Sequence, residues 1–272
     1  MENYINLNRT FALLPESQEK EYKDEWGFSP SSSKEKNWSD VLKEYRCIIL
    51  AEAGAGKTEE FRQQASSLIE RGVTSFFIRI EDIDSDFEDA FEIGSQQEFR
   101  EWLDGSGEAW FFLDSVDEAR LKNPNAFKKA VNRFATCISN AKHRAHIFIS
   151  SRPYAWRPKE DRRILNDKLY LPQRQDTKES PAYTSAQADN DPSALTVMLL
   201  KPLDSSRVNS YCEARDARGV DILLEEIERL NLWTLAERPF DLENIIDKWQ
   251  EAGVLDSRIE LLRHNIKSKL TE

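Results

Sequence analysis

Residues Ala51-Glu52-Ala53-Gly54-Ala55-Gly56-Lys57-Thr58 have the types and order needed to hold a polyphosphate. Small residues allow backbone N–H groups to close around phosphate oxygens, and a helix starting at once adds a favourable dipole. Lys57 would reach the outer phosphates with its ammonium, and Thr58 would offer its hydroxyl to an accompanying Mg²⁺. The expected contacts are Glu52, Ala53, Gly54, Ala55, Gly56, Lys57, Thr58 and Glu59. Further along, Trp110-Phe111-Phe112-Leu113-Asp114 is an apolar run ending in a carboxylate, followed by Ser115-Val116-Asp117-Glu118. Asp114 would hold the metal through a bound water, and Asp117 or Glu118 would position or deprotonate an attacking water. A third run, His146-Ile147-Phe148-Ile149-Ser150-Ser151, leads into Arg152 and Pro153. A cation just past a strand's C-terminal end can sense a terminal phosphate, since ligands of open α/β sheets sit at that edge.

Such residues cooperate only if the chain delivers them to one place. Each group follows an apolar segment of strand character, and the segments are Cys47 to Ala51, Thr74 to Ile80, Trp110 to Leu113, His146 to Ser150 and Thr196 to Leu200. Helical or loop-like sequence separates them, as a parallel sheet requires. In that setting the first group reads as a Walker A loop and the second as a Walker B strand. The helix after the loop places Phe61, Ala65, Leu68 and Ile69 on one face and ends near Gly72, a C-cap residue. The usual first glycine of such a loop is Ala51 here, and a Cβ restricts the backbone angles open to that turn.

The outer segments differ in character. Residues 1–40 mix isolated aromatics with charges and the stretch Ser29-Pro30-Ser31-Ser32-Ser33, without a sustained period, and read as a leader with little structure of its own. Residues 172–195 are polar and irregular, which predicts a flexible insertion before the last strand. After Lys201-Pro202-Leu203 the pattern is helical: Val208, Tyr211 and Cys212, then Ile222, Leu223 and Ile227, then Leu242, Ile245, Ile246 and Trp249. A last helix is expected from Ser257, with Glu260 completing a capping box and Ile259, Leu262 and Ile266 buried. The expected division is a leader over 1–40, a nucleotide-binding domain over 41–203 and a helical domain over 204–272.

Composition narrows the function. The 272 residues carry a formal net charge of −11, which argues against nucleic acid as a partner of the whole surface. Cys47, Cys137 and Cys212 are widely spaced and odd in number, so neither a disulfide framework nor a zinc site is indicated, and a reduced, cytoplasmic setting is expected. No run approaches the ~20 apolar residues that cross a bilayer, and the N-terminus has no signal-peptide pattern. His143 and His146 have an H-x-x-H spacing, but His146 opens a strand and no acid follows at metalloprotease spacing. Trp233 and Trp249 are expected to pack the helical part.

Taken together, Ala51 to Thr58, Asp114 with the small Ser115 and the acids Asp117 and Glu118, Ser150-Ser151-Arg152-Pro153, Lys201-Pro202-Leu203 and Glu237-Arg238-Pro239-Phe240 resemble the NACHT family within the STAND class of signal-transduction ATPases. The resemblance runs from about Asp40 to the end of the chain. It implies an α/β fold, a three-layer P-loop NTPase of the ASCE type with sheet order 5-1-4-3-2, followed by a small helical bundle. It also implies Arg152 as sensor 1 and Pro239 touching adenine, although the residue two before that proline, often glycine in the family, is Glu237.

The cofactors implied are ATP or ADP with Mg²⁺, and the activity a slow, regulatory hydrolysis. Such proteins look like switches, closed with ADP and opening with ATP and a trigger, so that the chain would form homo-oligomers when active. Effector and sensor modules would lie elsewhere on the protein or on partners, and bacterial members often serve in phage defence. The alternative is a scaffold that binds ATP or ADP with negligible turnover. A GTPase fits less well, because the nearest string to a guanine motif, Thr177-Lys178-Glu179-Ser180, lacks the aspartate.

Overall fold

The computed structural model describes residues 4–19, 35–83, 87, 90–123, 125–169 and 195–255. They divide into two compact units, one drawn from Met1–Arg9, Glu52–Lys57 and Leu200–Glu272, the other from Thr10–Ala51 and Thr58–Leu199.

The second unit is built on a mixed, mostly parallel sheet. Its strands are β1 (Thr10–Leu13), β2 (Lys36–Asn37), β3 (Arg46–Leu50), β4 (Ser75–Arg79), β5 (Phe91–Ile93), β6 (Ala109–Asp114), β7 (Ala145–Ser151) and β8 (Thr196–Leu200). Their order is β2-β1-β8-β3-β7-β6-β4-β5. Strand β3 runs parallel to β7 and β8, and β6 parallel to β4 and β7. Strand β1 pairs antiparallel with β2, and β4 with β5. This eight-stranded order differs from the expected 5-1-4-3-2. The difference arises at the edges, where β1 and β2 extend one side beyond β8 and β5 extends the other beyond β4. These additions are four, two and three residues long, too short for an alternating pattern to show. Strands β1 and β2 also fall within the anticipated leader, and a short helix, α1 (Trp38–Val41), overlaps its end, with Phe11 and Val41 buried.

Apolar residues on both sides of the strands explain the layers. Every residue of β3 and of β7 is buried, as expected of strands covered on two faces. On one face Ile48, Leu50, Phe111, Leu113, Ile147 and Ile149 pack with residues of three helices, α3 (Gln96–Asp104), α5 (Ala126–Cys137) and α6 (Pro158–Leu169). On the other, the Phe112 ring stacks on Phe148 at 5.1 Å and meets Phe61 of α2 (Lys57–Glu70) edge-on at 5.3 Å. Helices on both faces make a three-layer α/β arrangement. Helix α2 buries Phe61, Ala65 and Leu68, but Ile69 is 40% exposed. It ends at Gly72 (φ 76°), where the Val73 and Gly72 amides donate to Leu68 and Ile69, a Schellman ending.

In the other unit, α7 (Ser205–Ala214), α8 (Val220–Arg229), α9 (Trp233–Ala236) and α10 (Pro239–Ala252) surround their own core. Val208, Tyr211, Cys212, Leu223, Ile227, Leu242, Ile245, Ile246 and Trp249 form it with Leu7 and Leu203. Trp233 packs against it, whereas Ile222 is 58% exposed. Asp204 caps α7 by accepting the Arg207 N–H at 2.9 Å. The expected insertion (172–195, except Leu195) and the helix from Ser257 lie outside the described residues, and no described helix is long and apolar enough to cross a membrane.

Candidate functional site

The candidate residues fall into two groups, one in each unit. Glu52, Ala53, Gly54, Ala55, Gly56 and Lys57 form a loop leading into α2, with Gly54 at φ 76° and Gly56 at φ 88°. These left-handed angles suit glycine and little else. Gly54 is also crowded, since a Cβ there would lie 3.2 Å from Phe240 Cβ, and a Cβ on Gly56 would lie 3.6 Å from Pro239 Cγ. The Phe240 amide donates to the Gly54 carbonyl at 3.2 Å. Pro239 and Phe240, at the start of α10, are thus packed on the loop. Lys57 Nζ donates to the Glu52 carbonyl at 3.1 Å, closing the loop over its own side chain.

Both departures from the expected motifs prove conformationally harmless. Among the described residues, the non-glycines with positive φ are Asn8, Ser115, Asp216 and Asn231; Ala51 is not one of them, so its Cβ meets no backbone penalty. Glu237 sits at φ −64° and ψ −11°, an ordinary helical conformation that needs no glycine.

The second group gathers at the C-terminal ends of β3, β6 and β7. The register sets Leu50 opposite Ser151 and Leu113 opposite Ile149, which aligns those ends. Asp114, nearly fully buried, is the hub. Thr58 Oγ1 donates to Asp114 Oδ2 at 2.7 Å, and the Ser115 hydroxyl to the same oxygen at 3.1 Å. The buried Ser150 hydroxyl donates to Asp114 Oδ1 and accepts the Ser115 N–H at 2.9 Å.

Ser115 itself is left-handed (φ 69°, ψ 62°) and starts α4 (Val116–Lys122). A bulky residue in that conformation would be strained, which gives the small residue after Asp114 a physical reason. The turn sends Asp117 and Glu118 onto the first turn of α4. Asp117 is buried and pairs with Arg152 Nε at 2.8 Å. Partial burial pushes the Glu118 carboxyl above the usual range, with help from the charges of Asp117, Glu81 and Asp114 and opposed by Arg79. Glu59 is exposed and pairs with Arg62 at 2.7 Å.

Among the described residues no three or more His, Cys, Asp or Glu side chains cluster to hold a metal alone. One carboxylate and one hydroxyl in direct contact suit Mg²⁺ instead, which retains water and takes oxygen ligands from phosphate. His146 is no ligand candidate: its ring lies between Tyr45 and Trp110, at 4.2 and 4.4 Å, and Nδ1 meets the Glu44 carbonyl at 2.9 Å.

The motifs gave no indication of Arg9, Ser150 or Arg120. Arg9 reaches the loop from a segment read as unstructured. Ser150 lies within the run from His146 to Pro153, where a hydroxyl in an apolar strand ahead of an arginine is the one available signal. Arg120 on α4 pairs with the buried Asp161 of α6 at 2.5 Å and donates to the Ala155 carbonyl, holding the helix that carries the two acids.

No protein-family model matches this chain, and no curated protein matches it. Among solved structures the chain is similar to a Walker-type ATPase of Pyrococcus abyssi, at 12% identity over 86% of this chain and 72% of that one, with a TM-score of 0.44.

Proposed function

We propose that the chain is a P-loop ATPase that binds and slowly hydrolyses ATP, acting as a signal-transduction switch of the NACHT kind. The observation that carries this reading is the 2.7 Å bond between Thr58 Oγ1 and Asp114 Oδ2. It joins the first turn of the helix after a glycine-bearing loop to the end of an apolar strand, the two donors a nucleotide-bound Mg²⁺ requires. Thr58 and Asp114 would hold that ion, whose chemistry is to neutralise phosphate charge. The loop amides and Lys57 would bind and orient the phosphate chain. In hydrolysis a water oxygen bonds to the γ-phosphorus as the bond to the β–γ bridging oxygen breaks. Glu118, whose raised pKa suits a general base, accepts the water's proton.

The Asp117–Arg152 pair supplies a switch element. A γ-phosphate is a competing anion for Arg152, so ATP but not ADP would draw the guanidinium from Asp117. A trigger must then bind the ATP-favoured state more tightly than the other, or it shifts nothing. On this reading, homo-oligomerisation follows activation, with effector and sensor functions on other modules or partners. Pro239 would bound the adenine.

The test is calorimetric titration of the purified chain with ATP and Mg²⁺. Binding is expected, and Lys57→Ala should weaken it by at least about tenfold. A protein that binds neither ATP nor ADP sinks the proposal. The same ion pair supports a second reading, a scaffold with negligible turnover, since the buried Asp117 carboxylate competes with a γ-phosphate for Arg152. Multiple-turnover phosphate release that Glu118→Gln abolishes would exclude it.

A further inference from the structure

Arg9 lies 2% exposed, far upstream of the loop in sequence, yet its guanidinium forks between two backbone carbonyls. Nη1 donates to Ala55 O at 2.9 Å and Nη2 to Lys201 O at 2.7 Å. The backbone just before it is tied down as well, since Arg207 donates to the carbonyls of Leu7 and Asn8, both at 3.0 Å. Nη1 also lies 3.5 Å from where a Cβ on Gly56 would stand.

We propose that Arg9 is a positioning residue of the phosphate loop, holding the Ala55–Gly56 peptide so that its N–H faces the polyphosphate. The inference rests on the reading of Glu52–Lys57 as a phosphate site. In a trans peptide the C=O and N–H point in opposite directions. Anchoring the Ala55 oxygen on Arg9 therefore turns the Gly56 N–H away from Arg9, and glycine at φ 88° leaves the loop no rotational stop of its own. A guanidinium suits the task because its fixed fork reaches two acceptors at once and stays charged when buried. The second anchor, Lys201, precedes α7, so one side chain ties the loop to the start of the helical segment.

The experiment compares ATP and ADP, each with Mg²⁺, on wild type, Arg9→Gln, Arg9→Lys and Lys57→Ala. It measures affinity by calorimetry and the bound nucleotide by phosphorus NMR at saturation. Losing charge-assisted bonds of this kind should weaken both nucleotides by about tenfold in Arg9→Gln. The β-phosphate resonance of bound ADP should move while the α-phosphate resonance stays. Arg9→Lys, which keeps the charge but reaches one carbonyl at a time, should fall between wild type and Arg9→Gln, and it carries the same test if Arg9→Gln does not fold. Wild-type affinity in a folded Arg9 variant overturns the proposal. So does weaker binding with an unchanged β-phosphate resonance, which marks a residue that only stabilises the fold. If Lys57→Ala loses binding while the Arg9 variants keep it, the phosphate site stands and the role of Arg9 falls; if wild type binds nothing, both fall.

Discussion

Asp114 takes its hydrogen bonds from three hydroxyls, of Thr58, Ser115 and Ser150, and that bias decides how its neighbours can be tested. Ser150→Ala removes the donor to Oδ1 and the acceptor of the Ser115 amide together. Losing a hydrogen bond that orients a metal-holding carboxylate costs roughly 10- to 100-fold in metal affinity. The Mg²⁺ concentration that half-saturates ATP binding is expected to rise about tenfold, with ATP affinity at saturating Mg²⁺ little changed. Glu118 yields a pH prediction. Folding raises its pKa, so its contribution to stability is full below the ordinary glutamate value and is lost as pH rises through the raised one. Glu118→Gln should therefore raise the melting temperature at neutral pH, by about 1 °C for a partly exposed group, and lose that advantage below the ordinary glutamate range. In kinetics, the acid limb of wild-type hydrolysis should lie above the usual carboxylate range.

Helices α3 and α6 show how elements are held so that the site edge stays aligned. The segment before β7 carries cations placed against helix C-termini, where carbonyls lack partners. Arg144 donates to Trp102 O and Leu103 O of α3, at 2.6 and 2.9 Å, with its guanidinium 4.3 Å over the Trp102 ring. Arg46 of β3 donates to Leu169 O of α6 at 2.9 Å, and Lys142 to Lys168 O at 2.6 Å. At the other end of α6, Asp161 accepts the Arg157 N–H at 2.7 Å and the Arg120 guanidinium. Asp161→Ala leaves the mostly enclosed Arg120 charge without its carboxylate, which costs up to about 3–5 kcal/mol. Urea denaturation is expected to show that loss. Because Arg120 lies on α4, hydrolysis should also fall in variants that still fold. Gly54→Ala should behave oppositely: its left-handed φ and the contact with Phe240 would impair nucleotide binding, with a modest change in stability.

For the whole molecule, a ligand that binds the folded chain alone must stabilise it. At a hundredfold excess of ATP–Mg²⁺ over Kd the gain is about 2.7 kcal/mol. A thermal shift of several degrees is expected with wild type, and about half of it or less with Lys57→Ala at the same concentration. Sedimentation with ATP–Mg²⁺ against ADP–Mg²⁺ tests the switch, since oligomers favoured equally by both nucleotides would leave Arg152 without a role in sensing the γ-phosphate.

Several features of the site are specified by near neighbours along the chain. The loop from Ala51 to Thr58, the apolar strand ending at Asp114, the amphipathic face of α2 and its stop at Gly72 are all short-range patterns of size, polarity and backbone freedom. Tertiary structure decided the partners. Arg9 on Ala55 O, Ser150 on Asp114 and Arg152 on Asp117 join residues brought close by strand register and by packing within each unit, which no local spacing encodes. The left-handed Ser115 and the short edge strands β1, β2 and β5 escaped for the same reason. Each is stabilised by what lies beside it in space, so its residues carry too little local preference to announce it.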